Sequence, residues 1–293
     1  MSEHFISSSK KEKMRTYLNN LGLKNQSSNE QLLEFISPEG VLYLVMNRPE
    51  VHNAFDSYQI KKLTKALENA KSNPKVRVVV LAGAGKSFCA GGDINYMKSM
   101  GQNSFEENKA DGKALAQLMN TLYCHPKPTI ARVKGAVFGG GVGLVCCCDI
   151  AVGSSDIKLA LSEVKIGIIA STISPYLIKT VGTKTAKRFL LTGETLTSES
   201  ALKHGFISEI TQENQLDHTI DMLTKVLLKN GPEALQKTKT LIFEVADKEI
   251  DQKLIDYTAD SIAKVRSSSE AKEGLSAFLE KRKPLWNDSS QKN

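Results

Sequence analysis

Two glycine-rich segments that follow apolar runs are the first residues in this sequence that could take part in chemistry. Residues 88–94 read Phe-Cys-Ala-Gly-Gly-Asp-Ile and come soon after the β-branched run 76–82. Residues 134–144 read Lys-Gly-Ala-Val-Phe-Gly-Gly-Gly-Val-Gly-Leu and follow the run 129–133. Glycines after a strand let backbone N–H groups approach a ligand, and the free N–H groups of a helix start stabilise negative charge on an oxygen. A plain tight turn and close packing of a helix on a strand remain alternative interpretations of these segments.

A carboxylate and a basic cluster are the second kind of candidate. Glu163 lies in Leu-Ser-Glu-Val-Lys-Ile-Gly, residues 161–167, among mostly apolar neighbours. Half-burial raises the pKa of a carboxyl group, which suits it to proton transfer, although a surface or capping glutamate explains the same pattern more simply. Lys281, Arg282 and Lys283 are consecutive, so they are suited to hold phosphate groups or to interact with the negative end of a helix.

Other kinds of site are disfavoured by the residues present. Residues 80–87 end in Gly-Lys-Ser like a phosphate-binding P-loop, but Val80 occupies the position of the required first glycine. Three of the five cysteines are consecutive, at 146–148, which argues against disulfides and against zinc-ligand spacing. We therefore expect buried thiols in a reducing compartment and, because the histidines form no metal-spaced cluster, no metal site.

Composition and charge indicate an ordinary globular protein. The 293 residues are 41% hydrophobic and 24% charged, and the net charge of +7 is spread along the chain without an aromatic-rich basic stripe, so we expect no nucleic-acid partner. Residues 135–153 are apolar but interrupted by Asp149 and by glycines, which predicts buried core and no membrane association. Residues 1–13 contain charges and serines and no apolar signal segment, which predicts a cytoplasmic protein.

Predicted strands and helices alternate along the chain between these candidate residues. Apolar periodicity predicts strands at 41–46, 76–82 and 129–133, weaker strands at 158–161 and 206–210, and helices at 57–71, 105–122, 140–148 and after 214. The pattern predicts an α/β fold that ends in helices. We divide the chain into a polar, basic N-terminal appendage (1–33), a core (34–215), a C-terminal helical region (216–287) and a flexible tail (288–293).

Five segments together resemble the enoyl-CoA hydratase/isomerase (crotonase) family. They are Asn-Arg-Pro-Glu-Val-His-Asn-Ala-Phe at 47–55, the glycine segments at 88–94 and 135–141, Ser-Glu-Val-Lys-Ile-Gly at 162–167, and Gly-Leu-Ser-Ala-Phe-Leu-Glu-Lys-Arg-Lys-Pro at 274–284. Each motif is modest, but all five occur in the family's order and spacing, over about residues 35–286. The resemblance implies a crotonase-like spiral of ββα units, with a C-terminal helical region that forms a homotrimer or a dimer of trimers.

The resemblance also implies roles for individual residues. The backbone N–H groups of Gly92 and Gly140 would form an oxyanion hole for the thioester carbonyl of an acyl-CoA substrate, and Glu163 would be the acid/base. No cofactor beyond the CoA moiety of the substrate is implied. Phe278 and Lys281 match the position where a neighbouring subunit touches CoA. The full set expected to contact substrate or CoA is Ala90, Asp93, Ile94, Gly139, Gly143, Ser171, Phe278 and Lys281.

Departures from the family pattern suggest a subclass. Gly143 stands where two-carboxylate hydratases have a glutamate, so Glu163 is the single remaining carboxylate, which suits a Δ3-Δ2 enoyl-CoA isomerase. Ser171 stands where acyl-CoA hydrolases of the family need an aspartate, which argues against hydrolysis. Residues 161–176, however, resemble bacterial methylglutaconyl-CoA hydratases of leucine or isoprenoid catabolism, whose substrates carry a second carboxylate. We therefore expect hydration, with Ser171, Ser174 or the substrate replacing the missing glutamate; isomerisation and a non-catalytic RNA-binding or scaffold role are the alternatives.

Overall fold

The computed structural model describes residues 30–287. The appendage predicted for 1–33 therefore lies almost wholly outside the described residues, as does a helix expected around residues 11–21. The tail predicted at 288–293 also lies outside them. The first strand begins at Leu32, two residues inside the predicted appendage, because Leu32 and the residues after it pair with the next strand.

Nine strands and ten α-helices alternate in the described part of the chain, and short 3-10 turns connect several of them. The strands are β1 (Leu32–Ile36), β2 (Val41–Met46), β3 (Val78–Gly83), β4 (Thr129–Val133), β5 (Ala136–Phe138), β6 (Ile150–Ser154), β7 (Lys158–Ala160), β8 (Thr195–Leu196) and β9 (Glu209–Thr211). The helices are α1 (Ser57–Ser72), α2 (Ile94–Met100), α3 (Phe105–Tyr123), α4 (Gly140–Cys147), α5 (Ser174–Thr192), α6 (Ser198–Lys203), α7 (Leu216–Lys229), α8 (Pro232–Val245), α9 (Gln252–Arg266) and α10 (Ser269–Leu279).

The main sheet has the strand order β1-β2-β3-β4-β6-β9, in which all pairs except β1-β2 are parallel. Parallel strands buried on both faces read as continuous apolar runs, which is why Val-Leu-Tyr-Leu-Val-Met in β2 and Val-Val-Val-Leu-Ala-Gly in β3 contain no exposed residue. The side chains of β2 alternate between two clusters. Leu42, Leu44 and Met46 pack with α1, α3 and α4, whereas Val41, Tyr43 and Val45 pack with α7.

A second, smaller sheet of order β5-β7-β8 follows the connections out of the main sheet. The chain leaves β4 and enters β5 after two residues, and it leaves β6 and enters β7 after three. Isolated parallel bridges join Cys89 to Val137 and Phe55 to Gly92, so the loops after β2 and β3 extend this second layer. Each repeat of two strands and a helix therefore adds one turn to a spiral, and both glycine segments lie where the chain crosses between the layers.

The C-terminal helices differ from the spiral in how little they bury. Helices α8 and α9 contain no buried residue, and α10 buries only Ala277. Polar contacts attach them to the body: Lys239 Nζ lies 2.7 Å from Asp149 Oδ2, and the indole N–H of Trp286 donates to the Lys229 carbonyl at 3.1 Å. Within residues 30–287, we find no helix with the length and apolar composition needed to cross a membrane.

Candidate active site

Three of the segments discussed above, residues 88–94, 134–144 and 161–167, meet at the glycine turn before α4. Gly139 caps this helix with a φ of 51°, a conformation that residues with a side chain rarely adopt. A Cβ atom at position 139 would lie 3.0 Å from Glu163 Oε1 and 3.9 Å from the Cα of Gly91. The turn therefore brings the backbone of both glycine segments against the carboxylate of Glu163, and only a glycine fits between them.

Glu163 is a half-buried carboxylate with one unsatisfied oxygen. It is the first residue of the 3-10 turn Glu163–Ile166, and its Oε2 atom is buried without a hydrogen-bond partner among residues 30–287. Burial raises the pKa of Glu163, and a hydrogen bond from its own backbone N–H offsets this only in part. An unpartnered carboxyl whose pKa is raised is suited to exchange a proton with a ligand.

The N–H groups of Gly92 and Gly140 are both available to a ligand. The Phe55 N–H donates to the Gly91 carbonyl at 2.8 Å and the Asp93 N–H donates to the Phe55 carbonyl at 3.0 Å, so in this parallel bridge the Gly92 N–H points away from Phe55. Gly140 is the first residue of α4, where helical N–H groups have no partner in the helix. In the hydrogen bonds found within residues 30–287, neither N–H group has a protein acceptor.

Phe55 supports both of these glycines. Its backbone aligns Gly92, and its ring lies so close to α4 that a Cβ atom at position 140 would be 2.3 Å from Phe55 Cζ. Real Cβ atoms essentially never approach so closely, so a side chain at position 140 would force the Phe55 ring to shift. Phe55 ends the first of the five family segments but was not predicted as a site residue. The aromatic residue at the end of that segment was the sequence feature that could have indicated its role.

Asp93 holds the start of α2 in place. Its side chain accepts from the N–H groups of Asn95 and Tyr96, and its Oδ2 atom lies 2.8 Å from Arg48 Nη2. Burial alone would raise the pKa of Asp93, but the hydrogen bonds from Asn95, Tyr96 and Arg48 outweigh it and lower the pKa. Both carboxylate oxygens are thus engaged within the protein, and Asp93 fixes the backbone beside Gly92.

The loop that carries Ala90 is held by a buried asparagine. Asn53 has a left-handed φ of 56° and is 0% exposed, and its Nδ2 atom donates to the carbonyls of Ala84 and Ser87 at 2.8 Å each. The Ala90 N–H donates to the His52 carbonyl at 3.0 Å, which sets the path of the chain into Gly91. Asparagine tolerates this conformation, and its residue type was the sequence signal for a positioning role that was not predicted.

Gly143 lies against Ile173. A Cβ atom at position 143 would be 2.3 Å from Ile173 Cγ2, and Ile173 is only 1% exposed. The hydroxyl of Ser174 donates to the Ser171 carbonyl at 2.9 Å, and Ser171 itself is exposed. No hydrogen bond found in the described part of the chain joins Ser171 or Ser174 to Glu163. Ile173 was not predicted as a site residue, although an isoleucine in place of a glycine-rich turn was a visible signal.

The remaining predicted contacts lie at the surface. Ile94, the first residue of α2, is 69% exposed, and Phe278 on α10 is 80% exposed. Lys281 follows α10 with a left-handed φ of 54°. Within residues 30–287, no hydrogen bond or ion pair joins Phe278 or Lys281 to Glu163. The basic cluster instead contributes Arg282 to an internal pair, with its Nη1 atom 2.6 Å from Glu273 Oε1.

The cysteines and histidines do not form a site in the described residues. Cys89, Cys146 and Cys147 are buried and Cys124 is exposed, and burial raises the pKa of Cys89 and of Cys146 to about 12. Residues 30–287 contain no group of three or more His, Cys, Asp or Glu side chains placed to bind a metal ion.

Comparison with known proteins identifies the family. The family model described as enoyl-CoA hydratase/isomerase matches residues 37–290. The chain belongs to this family. A crotonyl-CoA hydratase of Syntrophomonas wolfei is 30% identical over 84% of this chain and 94% of its own length. A peroxisomal Δ(3,5)-Δ(2,4)-dienoyl-CoA isomerase of Arabidopsis thaliana is 31% identical over 84% of this chain and 92% of its own.

A solved structure extends the comparison to the fold. The crystal structure of an enoyl-CoA hydratase from Shewanella pealeana superposes with a TM-score of 0.85 and 40% identity, covering 88% of this chain and 96% of the other. The predicted crotonase spiral with C-terminal helices is therefore confirmed. This enoyl-CoA hydratase/isomerase family member is an enzyme, as the sequence predicted.

Proposed function

We propose that this enzyme hydrates a 2-enoyl-CoA thioester, of the 3-methylglutaconyl-CoA type, with Glu163 as its single acid/base. The observation that carries the proposal is the Glu163 carboxylate, whose buried Oε2 atom has no partner among residues 30–287 and lies at the meeting point of the two glycine segments. A buried polar oxygen without a partner is costly unless a ligand or water completes its hydrogen bonds.

The glycine N–H groups supply the electrostatic part of the reaction. The thioester oxygen accepts hydrogen bonds from the N–H groups of Gly92 and Gly140, which have no protein acceptor in the described residues. As a nucleophile adds to C3, the C2–C3 π electrons move toward the thioester, and negative charge develops on this oxygen. Preorganised N–H donors stabilise such an oxyanion, and loss of one typically costs about 10²–10³ in rate.

Glu163 moves the proton. Its carboxylate accepts a proton from water while the water oxygen bonds to C3, and the resulting carboxylic acid then returns a proton to C2 as the enolate collapses. The net change is addition of water across the C2–C3 double bond. The raised pKa of Glu163 supports both roles. It makes the carboxylate a stronger base toward water, and it keeps the carboxylic acid protonated closer to neutral pH, where it can donate to C2.

The substrate class rests on the sequence of residues 161–176. This stretch resembles the methylglutaconyl-CoA hydratase subgroup, whose substrates carry a second carboxylate at the acyl end. The expected CoA path includes Ala90, Asp93 and Ile94, and the exposed Ile94 side chain suits contact with a ligand. Asp93 contributes by holding the start of α2, since both of its oxygens are already engaged.

An assembly of three chains, or of six, would complete the CoA site. Large apolar side chains of the C-terminal helices are exposed, among them Ile242, Ile255, Ile262 and Phe278. Exposed apolar patches on a folded chain often mark an interface between subunits. In such an assembly Phe278 and Lys281 would reach the CoA bound to a neighbouring subunit.

Isomerisation is the second candidate function, and the environment of Gly143 favours it. A single carboxylate is sufficient to move a proton between C4 and C2 of a 3-enoyl-CoA, because removal at C4 and return at C2 need only one base beside the enolate. Ile173 occupies the space next to Gly143, so a second carboxylate cannot come from that position. A related chain of similar length is named an isomerase.

The test compares Glu163→Gln with the parent protein on three substrates. These are 3-methylglutaconyl-CoA, crotonyl-CoA and a 3-enoyl-CoA, each followed spectrophotometrically. We expect the parent to hydrate 3-methylglutaconyl-CoA best, and Glu163→Gln to lower kcat by about 10²–10⁴. Glu213→Gln is the matched control, because Glu213 is also the first residue of a 3-10 turn but is exposed.

Two outcomes would contradict the proposal. Full hydratase activity in Glu163→Gln would show that Glu163 is not the acid/base of the reaction. Turnover of the 3-enoyl-CoA alone by the parent would replace hydration with isomerisation and would keep the assignment of Glu163.

A further inference from the structure

Ile173 occupies the space beside the first turn of α4. We propose that Ile173 is a specificity-determining residue, which limits the site to one acid/base group by filling the volume into which a side chain at position 143 would project. The inference rests on the proposed function of Glu163. With Ile173 in place, the site has Glu163 alone to move protons on the substrate. Without it, a polar side chain at position 143 could help Glu163 to add water.

The fit between Gly143 and Ile173 leaves no room for a side chain. A Cβ atom at position 143 would lie 2.3 Å from Ile173 Cγ2, 2.8 Å from Ile173 Cβ and 3.2 Å from the end of the Met119 side chain. Isoleucine is branched at Cβ and has few χ1 rotamers, so its inner atoms cannot move aside as the end of a flexible chain does. Met119 is flexible and can yield, whereas Ile173 cannot.

Ile173 is also held where it is by its own turn. The Ser174 N–H donates to the Ala170 carbonyl at 3.1 Å, and the Leu177 N–H donates to the Ile173 carbonyl at 3.0 Å. The Ser174 hydroxyl closes the turn on the Ser171 carbonyl at 2.9 Å. Because Ile173 is only 1% exposed, outward movement of its side chain would also leave part of the core empty.

The position of Ile173 relative to Glu163 follows from the geometry of α4. The Gly143 N–H donates to the Gly139 carbonyl at 3.4 Å, so the two glycines are one helical turn apart. Gly139 faces Glu163 Oε1 and Gly143 faces Ile173. The contact with Glu163 at position 139 and the contact with Ile173 at position 143 therefore lie at two ends of the same turn of backbone.

This placement has a chemical consequence. The side chain that fills the space beside position 143 is aliphatic, so it neither donates nor accepts a proton. The proton taken by Glu163 then returns to the substrate, and efficient hydration depends on a polar group of the substrate itself. A carboxylate placed at position 143 would remove this dependence only if Ile173 made room for it.

The experiment is a double-mutant cycle with two readouts, Tm and the ratio of crotonyl-CoA hydration to 3-enoyl-CoA isomerisation. The variants are Gly143→Ala, Gly143→Glu, Ile173→Gly and the two double variants that combine Ile173→Gly with each change at 143. Gly112→Ala is the matched control, because Gly112 lies in α3 and a Cβ atom added there would have no neighbouring atom within 4 Å.

We expect Gly143→Ala to lower Tm by about 3–10 °C through overpacking, and Gly112→Ala not to lower it. In the Ile173→Gly background, Gly143→Ala should lower Tm by less than it does in the parent, because the Ile173 side-chain atoms that it would meet are absent. The activity ratio should stay at the parent value in Gly143→Glu. It should rise by about 10²-fold in Gly143→Glu/Ile173→Gly relative to Ile173→Gly, which is the lower end of the range typical of an added acid/base group.

Three results would overturn the inference. They are a parent-like Tm for Gly143→Ala, a raised activity ratio in Gly143→Glu alone, and a folded Gly143→Glu/Ile173→Gly protein whose ratio equals that of Ile173→Gly. If the glutamate variants do not fold, additive Tm changes in the alanine cycle would also overturn it. Failure of the proposed function is seen separately, as retained activity in Glu163→Gln, and the alanine cycle does not depend on that result.

Discussion

Two carboxylates beside the glycine segments show opposite behaviour. Asp93 is the less exposed of the two, yet its pKa is lowered, because two backbone N–H groups and Arg48 donate to it. Glu163 is only half-buried, yet burial raises its pKa, because few hydrogen bonds oppose that effect and one of its oxygens has no partner in the described residues. Hydrogen bonds to the charged form stabilise it and burial destabilises it, so the number of donors decides the sign.

The difference separates a positioning carboxylate from one free to react. Asp93 caps α2 and pairs with Arg48, and so uses its hydrogen-bonding capacity to hold the backbone beside Gly92. Glu163 keeps its capacity for a ligand, because its buried Oε2 atom has no partner among residues 30–287.

The largest expected effect is a difference in the free energy of unfolding between variants of Asp93 and variants of Glu163. Asp93→Ala should lower the free energy of unfolding by about 2–4 kcal/mol, because it removes a helix cap and leaves Arg48 short of a charged partner. Glu163→Gln should leave the free energy unchanged or raise it at neutral pH, since it removes a poorly solvated charge. Chemical denaturation measures both values, and Asp93→Asn, which keeps a cap oxygen, should fall between them.

Equal losses in Asp93→Ala and Glu163→Gln would contradict the comparison. They would mean that Glu163 has stabilising partners in the folded protein that are equivalent to those of Asp93.

A buried histidine extends the comparison to a group whose charged form is a cation. His125 is 0% exposed, and burial lowers its pKa to about 4. Below its ordinary pKa of about 6.5 the unfolded chain takes up a proton that the folded protein does not, so stability should fall as pH falls. The contribution is about 1.4 kcal/mol per pH unit between pH 6.5 and 4 and levels off below pH 4.

The measurement is the free energy of unfolding against pH for the parent and for His125→Asn, whose side-chain oxygen can accept the Lys127 N–H in place of His125 Nδ1. The slope should be smaller in the variant over this range. His218→Asn, at an exposed position on α7, is the control for the replacement of a histidine by asparagine. Identical slopes in all three proteins would show that His125 does not titrate differently on folding.

The smallest expected effect is a shift in the pH profile of the rate. If the Glu163 carboxylate accepts the proton of water, kcat/KM should fall as pH falls through the raised pKa of Glu163. The acid limb should then lie above the ordinary glutamate value of about 4.3. A limb at the ordinary value, measured with 3-methylglutaconyl-CoA and unchanged in Glu213→Gln, would indicate that Glu163 is solvated in the working enzyme.

Much of the fold was predictable because local periodicity and burial agree. The strands at Val41–Met46 and Thr129–Val133 have the predicted bounds, and the helix at Ser57–Ser72 extends one residue beyond its prediction. The strands Leu32–Ile36 and Ala136–Phe138 were not predicted. The first contains exposed residues and the second has three residues among glycines, so neither carries a strong apolar pattern.

The family motifs, the two glycine segments and Glu163 as the candidate acid/base could all be identified from the amino-acid sequence. These depend on residue type and spacing along the chain, which the sequence records directly. The contacts that those residues make follow from the packing of the folded chain. Asp93 is engaged, Glu163 Oε2 has no partner among residues 30–287, and Ile173 lies against Gly143. Hydrogen bonding and steric exclusion depend on distances between segments far apart in the chain, and such distances exist only after the layers of the spiral have packed.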